Sequence, residues 1–219
     1  MALSKVNFNS LNLTPTASKT VVFNSSNNGI EAGDVGGSMV LISELTASSS
    51  ATLSFTSGID SSYKEYIFKF IDIHPSSTDV NGEQFKFNFS IDGGSNYNVN
   101  KTSTFFYAIN TEADSNAGPT YYNGGDLANS SDAQITTSEL GGDNDQSVVG
   151  HLHLFNPSDT VGVKHFICQV NEIGASDRTE ANYISGYCNT TSAINAVQFA
   201  MNRSGETIQS GSIKLYGIS

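Results

Sequence analysis

The chain has 219 residues, a net charge of −11 and only 14% charged side chains, a composition that excludes helical bundles and coiled coils. It has no apolar stretch near the roughly 20 residues of a membrane span, and residues 1–8 lack the apolar block of a signal peptide. We therefore expect neither a secretion signal nor membrane insertion, and the length suits a single all-β domain.

The first 36 residues predict an extended N-terminal arm with short strands. Apolar residues alternate only weakly there, Pro15 interrupts the pattern, and residues 24–29 have the turn-forming sequence NSSNNG. Polar termini fray unless something holds them, so we expect the arm to be fixed by the domain or by a partner. Residues 37–219 are predicted to form a single domain.

Alternation of apolar and polar residues dominates the chain from residue 38 onward. It is clearest at residues 84–91, where Phe85, Phe87 and Phe89 share one face. A glycine-containing turn at 92–95 follows, which predicts a hairpin with residues 96–107. The other predicted strands are 38–46, 51–56, 63–74, 147–155, 160–171, 182–188, 195–201 and 211–217, with a further short one at 133–138. This pattern favours an all-β fold, an antiparallel β-sandwich that is jelly-roll-like.

Two predicted strands are apolar on both faces, at residues 66–71 and 166–168. Strands of this kind are covered on both sides. Loops, the N-terminal arm or another subunit could supply the second cover, and the pattern indicates contacts in an oligomer.

The segment 108–146 is the predicted display region, since it is rich in Asn, Asp, Gly, Ser and Thr and loops of this length are usually functional or disordered. Residues 102–163 contain eight acidic residues and no Lys or Arg. A nucleic-acid partner requires cations that neutralise phosphates, so nucleic-acid binding is excluded, and anionic membrane surfaces are disfavoured.

Tyr121 and Tyr122 stand beside Asn123 and Asp126 in this segment. Aromatic rings rimmed by hydrogen-bonding side chains are typical of binding loops, so these four residues are the candidate site for a glycan or host surface. In the alternative interpretation the two rings simply cover the edge of the sandwich.

Two acidic loops are weak candidates for calcium binding, through Asp114 with Asn116 and Asp143 with Asp145. Calcium prefers carboxylate and amide oxygens, although neither spacing fits an EF-hand. The alternative is that these acids only keep the protein soluble. His151 and His153 would share one face of a strand, but no third metal ligand follows, which favours structural histidines.

Nothing in the sequence concentrates catalytic chemistry, so we expect no enzyme. A Gly-x-Ser-x-Gly nucleophile motif is missing, and Gly174-Ala175-Ser176 continues with Asp177. Cys168 and Cys188 match no zinc or redox spacing and are predicted to be buried free thiols or a single bridge.

Five segments carry a family resemblance: LSFTSGIDSSYKEYIFKFIDIHP at 53–75, FSIDGGSNY at 89–97, GDNDQS at 142–147, HLFNPS at 153–158 and SGSIKLYG at 210–217. They resemble structural proteins of marine tailed bacteriophages such as cyanophages. The resemblance implies a virion component, in the tail, at a fibre tip or as capsid decoration, assembled in the host cytoplasm. Such components occur in symmetric copies, so a homo-oligomer is expected, with a trimer favoured.

The expected function is that of a structural protein on the surface of a phage particle, docked to other virion proteins through residues 1–36 and able to contact the host. The alternative is a carbohydrate-binding, lectin-like module that recognises host-surface polysaccharide. A glycan-cleaving enzyme is the weakest alternative.

Overall fold

The computed structural model describes residues 20–23, 26, 28–33, 39–78 and 83–218. They fall into two units, one within residues 1–38 and a compact domain of residues 39–218. The described residues contain no helix, and therefore none long and apolar enough to cross a membrane. Much of the predicted arm, residues 1–19 and 34–36, lies outside the described residues.

The first unit contains a short hairpin. Its strands are β1, Thr20–Phe23, and β2, Ile30–Gly33, which pair antiparallel. Phe23 pairs with Ile30, and the residues predicted as a turn lie between the two strands. Short strands were expected in this part of the arm, and the hairpin confirms them.

The domain is an antiparallel β-sandwich, as predicted. Its strands are β3 (Met39–Thr46), β4 (Leu53–Phe55), β5 (Glu65–Pro75), β6 (Phe85–Ser90), β7 (Lys101–Thr111), β8 (Ala117–Tyr121), β9 (Gln134–Ile135), β10 (Val148–Phe155), β11 (Lys164–Gly174), β12 (Arg178–Cys188), β13 (Ala196–Met201) and β14 (Ile208–Ile218). Eight form one sheet in the order β3-β14-β5-β10-β11-β12-β7-β8, and four form a second in the order β4-β13-β6-β9. The chain crosses repeatedly between the two sheets. As a result β3, the first strand of the domain, pairs with β14, the last.

The hairpin predicted from residues 84–91 and 96–107 is wrong. β6 belongs to the four-stranded sheet and β7 to the eight-stranded sheet. Gly93 and Gly94 do adopt the positive φ angles that the turn requires, 71° and 89°. Asp92 closes this turn by accepting hydrogen bonds from the backbone and side-chain amides of Asn96 at 2.9 and 2.7 Å. The chain then changes sheets, because β6 and β7 bury their apolar faces from opposite sides of one core.

Aromatic rings fill the space between the sheets. Phe199 on β13 is fully buried. Its ring centre lies 5.3–6.4 Å from the centres of five other rings, those of Phe55, Phe68, Phe70, Phe85 and Phe87. Aromatic pairs at such distances stabilise a core beyond the burial of their area. Phe199 is therefore the centre around which the two sheets pack.

The segment predicted as a display region is only partly exposed. Residues 112–116 form the exposed turn between β7 and β8, whereas residues 134–138 are buried. β9 pairs with β6, and the side-chain hydroxyl of Thr137 accepts a hydrogen bond from the backbone of Phe85 at 2.7 Å. The predicted strand at 133–138 is thus present as a short buried strand, and it divides the segment.

Replacing Phe199 with Ala should lower the free energy of unfolding by about 3–5 kcal/mol, because it leaves a cavity bordered by five rings. Val161, which is 84% exposed, provides the control, since Val161→Ala should change the stability by less than about 0.5 kcal/mol. Urea titrations of both variants measure the difference. Equal losses in the two variants would contradict the central role of Phe199.

Candidate functional site

The eight-stranded sheet has one face in the core and one face turned away from it, here called the outer face. On β11, alternate residues from His165 to Ile173 are exposed and those between them are buried. Exposed large apolar side chains gather on the outer face: Leu41, Ile71, Phe106, Tyr121, Val149, Ile167, Ile173 and Tyr183. Shallow depressions of about 270, 430 and 220 Å³ are lined by residues of this face. Exposed apolar side chains gathered on one sheet face make it a candidate binding face.

A row of directly opposed residues crosses the middle of the outer face, one from each strand. In strand order the residues of this central row are Glu44, Lys214, Lys69, His151, Gln169, Tyr183, Phe106 and Tyr121, each paired with the next. Directly opposed residues of an antiparallel sheet point to the same face. The central row is therefore one continuous line of side chains.

The two halves of the central row differ in chemistry. Over β3, β14, β5 and β10 the residues are ionisable, and Lys214 Nζ lies 3.6 Å from Glu44 Oε2. Over β11, β12, β7 and β8 they are one amide and three aromatic side chains, and the rings of Phe106 and Tyr183 stack with centres 5.1 Å apart and planes at 11°. The central row thus has a charged half and an aromatic half side by side.

The structure separates the two tyrosines of the predicted glycan site. Tyr121 is 54% exposed on the outer face, and its hydroxyl donates to Asp126 Oδ2 at 2.8 Å. Tyr122 points the other way and packs edge-on against Phe105, with ring centres 5.2 Å apart. Burial raises the pKa of Tyr122. Asn123 is exposed in the turn that follows. Tyr121 and Asp126 therefore meet, while Tyr122 belongs to the edge of the core.

His151 and His153 share one face, as predicted, with ring centres 4.8 Å apart on the outer face. His153 Nδ1 contacts Glu65 Oε1. Burial, with smaller contributions from His153 and Lys69, lowers the pKa of His151. Both rings are therefore held by contacts within the sheet.

The residues predicted to bind calcium lie in two different loops. Asp114 and Asn116 are exposed in the β7–β8 turn, where the backbone of Asp114 donates to the Thr111 carbonyl at 2.9 Å. Asp143 and Asp145 are exposed in the segment before β10. Within the described ranges, no three His, Cys, Asp or Glu side chains are grouped so that they could hold a metal ion.

A buried pair of carboxylates, which sequence reasoning missed, lies at one end of β11 and β12. Glu172 and Glu180 are direct cross-strand partners, and neither is exposed. Glu180 Oε1 accepts a hydrogen bond from Arg178 Nη2 at 2.7 Å, and both its oxygens lie 2.8 Å from the donating Ser138 hydroxyl. Arg178 and Ser138 therefore supply hydrogen bonds to both oxygens of Glu180.

Glu172 has a different environment. Its Oε1 accepts from the backbone of Ser138 at 2.8 Å and from Asn182 Nδ2 at 2.9 Å. Its Oε2 and Asn182 Oδ1 are buried with no hydrogen-bond partner among the described residues. Burial, and then the neighbouring Glu180, raise the pKa of Glu172 to about 8. A proton on Glu172 removes the charge from a carboxylate that has one buried oxygen without a hydrogen-bond partner in the part of the chain that the structure describes.

The opposite end of the same strands carries buried cations. Lys164, Cys188 and Lys101 are consecutive cross-strand partners, and all three are buried. Lys101 Nζ donates to Asn88 Oδ1 at 2.6 Å, and its burial lowers its pKa to about 8. Burial also raises the pKa of Cys188 to about 12. Cys188 and Cys168 are both free and buried, so the predicted free thiols are confirmed.

The sequence did contain a signal for the carboxylate pair. The predicted strands stopped at residue 171 and began at residue 182, whereas β11 extends to Gly174 and β12 begins at Arg178. Continuing the alternation of Phe166, Cys168 and Val170 by one step would have placed Glu172 in the interior.

Comparisons with protein-family models, curated proteins and solved structures give no match to this chain.

Glu172 makes the stability depend on pH. Between its ordinary pKa of 4.5 in the unfolded chain and about 8 in the fold, the folded protein keeps a proton that the unfolded chain releases. The contribution of Glu172 to the free energy of unfolding therefore falls by about 1.4 kcal/mol per pH unit across this window and levels off above it. In Glu172→Gln this loss should be absent, so the stability of the variant relative to the unmodified protein should rise with pH.

Urea titrations at a series of pH values measure this difference. Glu112→Gln is the matched control, because Glu112 is exposed and its removal should leave the pH dependence unchanged. A constant difference between Glu172→Gln and the unmodified protein from pH 5 to pH 8 would show that Glu172 is already ionised in the fold.

Proposed function

We propose that the chain is a structural protein exposed on the surface of a bacteriophage particle, as a tail, fibre-tip or capsid-decoration subunit. The observation that carries this proposal is the outer face, a broad apolar and aromatic sheet surface on a protein with a net charge of −11. Net charge keeps single copies soluble, while exposed apolar and aromatic side chains on one face favour association. A subunit that is made soluble and then assembled needs both properties.

The resemblance to marine phage proteins supports a virion as the assembly that this subunit joins. Particle subunits occur in symmetric copies, so the proposal includes a homo-oligomer. Ile67, Ile71 and Ile167, which made two predicted strands apolar on both faces, all point to the outer face. Ile67 is covered by its neighbours, but Ile71 and Ile167 are exposed among the residues described. They are suited to contact another subunit.

Residues 1–36 are proposed to dock the subunit to other virion proteins. The boundary between their unit and the domain falls between residues 38 and 39 of the chain. The domain has its own core. A chain with this division can lose its N-terminal unit without losing the fold of the sandwich.

Deletion of residues 1–36 should leave a soluble domain with an unchanged melting temperature that no longer enters particles. Tagged full-length and truncated chains, expressed during infection, can be compared by immunoblotting of purified particles. Incorporation of the truncated chain at the level of the full chain would overturn the docking role.

Antibody raised against residues 38–219 tests the virion proposal itself by immunogold electron microscopy of purified particles. Gold at tail or fibre tips would assign a host-contacting position, and gold over the head would assign capsid decoration. Particles without gold, checked by mass spectrometry for the missing protein, would overturn the proposal.

A second candidate function is recognition of host-surface polysaccharide, favoured by the exposed Tyr121 ring beside the Asp126 carboxylate. An aromatic ring can stack on a sugar while the carboxylate accepts its hydroxyl hydrogens. Tyr121→Ala should then release the protein from immobilised host polysaccharide, whereas Tyr122→Phe should not, because Tyr122 packs inside. Unchanged retention of Tyr121→Ala would remove this candidate.

A further inference from the structure

We propose that the outer face is a self-complementary interface through which two copies of the chain pack face to face about a twofold axis. The axis would run parallel to the strands, between β10 and β11. This proposal rests on the homo-oligomer part of the proposed function and specifies its partner surface. Its basis is the division of the central row into a charged half and an aromatic half.

The line between β10 and β11 divides the sheet into four strands on each side. A twofold axis along that line places β5 of one copy over β12 of the other, and β14 over β7. Since the central row lies at one level along all eight strands, Lys69 would face Tyr183 and Lys214 would face Phe106. His151 would face Gln169, where the imidazole and the side-chain amide can exchange a hydrogen bond.

Opposing the two halves matches cations with aromatic rings. Lys69 already lies near one ring within its own chain, with Nζ 5.6 Å from the centre of Tyr216. Phe106 and Tyr183 use one ring face each in their stack, which leaves the opposite face of each ring for a cation. A lysine placed over an aromatic ring is attracted more strongly once water is excluded. A twofold axis perpendicular to the strands would instead place the lysines of the two copies over each other.

A small residue lies opposite a large one under the same operation. Ile71 lies in the bulge of β5 opposite Val149, and Val149 leads through Asn171 to Ala181 on β12, so Ile71 is close to the level of Ala181. Large side chains facing small ones allow two sheet faces to interdigitate at the usual separation of about 10 Å.

The size of the outer face is adequate for a stable contact. Eight strands at about 4.8 Å spacing span about 34 Å, and the residues from 149 to 155 extend about 20 Å along β10. The product, about 700 Å², is close to the roughly 800 Å² that each partner buries in a standard interface. Twisting of both sheets is compatible with aligned packing of this kind.

Light scattering of the full-length protein across a range of concentrations tests the association. We expect a mass twice that of the 23.3 kDa chain. Ile167→Glu places a charge at the centre of the interface and should weaken the dimer at least tenfold. Ile91→Glu is the matched control, because Ile91 is exposed to a similar extent, 43% against 49%, and follows β6 of the other sheet. Circular dichroism and melting temperatures establish that both variants fold.

A pair of cysteines tests the axis. Lys69 and Tyr183 replaced together by Cys should give covalent dimers with a bismaleimide whose reach is about 10 Å, the spacing of packed sheets. Lys69→Cys and Tyr183→Cys alone should not, since each would face an unmodified residue. The native Cys168 and Cys188 are buried and do not compete. Dimers formed equally by the single variants would overturn the proposed axis.

A single-chain mass at all concentrations, or a three-chain mass, would overturn the proposal. A protein that stays monomeric while Ile167→Glu abolishes its binding to host polysaccharide would also overturn it. So would a protein that dimerises only after residues 1–38 are removed. The immunogold result is independent of these outcomes. A monomer found on particles would leave the virion role and remove only this interface, whereas a dimer absent from particles would do the reverse.

Discussion

The continuous pairing of β12 with β11 on one side and β7 on the other fixes the position of nearly every feature described above. Each ladder has eleven consecutive residue pairs without a register shift. A slip of one residue would exchange the two faces of a strand. Such a slip would bring Ile167 into the core and Cys168 to the surface, so the inner polar groups and the outer aromatic half both depend on this register.

The inner side of these strands combines an apolar centre with polar ends. Phe166, Cys168 and Ile184 lie in the core, whereas Glu172 with Glu180 and Lys101 with Lys164 occupy opposite ends. Burying like charges side by side is costly, and the structure limits that cost by pairing Glu180 with Arg178 and favouring a proton on Glu172. Charged residues therefore lie at both ends of these strands while the apolar core between them stays buried.

The outer side of the same strands has the opposite character. It is broad, apolar and aromatic, and its two halves differ in charge, while the chain as a whole is acidic. Along the central row this asymmetry is a property of strand order: β5 and β14 carry its lysines, and β7, β8 and β12 carry its rings. Residues far apart in sequence form one surface, which supports the proposals of a symmetric assembly and of a twofold contact within it.

The sequence by itself determined the all-β class, the approximate strands and the apolar character of residues 66–71 and 166–168 on both faces. These follow from alternation, which is a local property of each strand. Tertiary structure decided which strands pair, and so it overturned the hairpin of β6 with β7, buried β9 and turned Tyr122 away from Tyr121. Pairing depends on how distant segments share one core, and no local pattern specifies that choice. The central row and the pairing of Glu172 with Glu180 exist only after this choice is made.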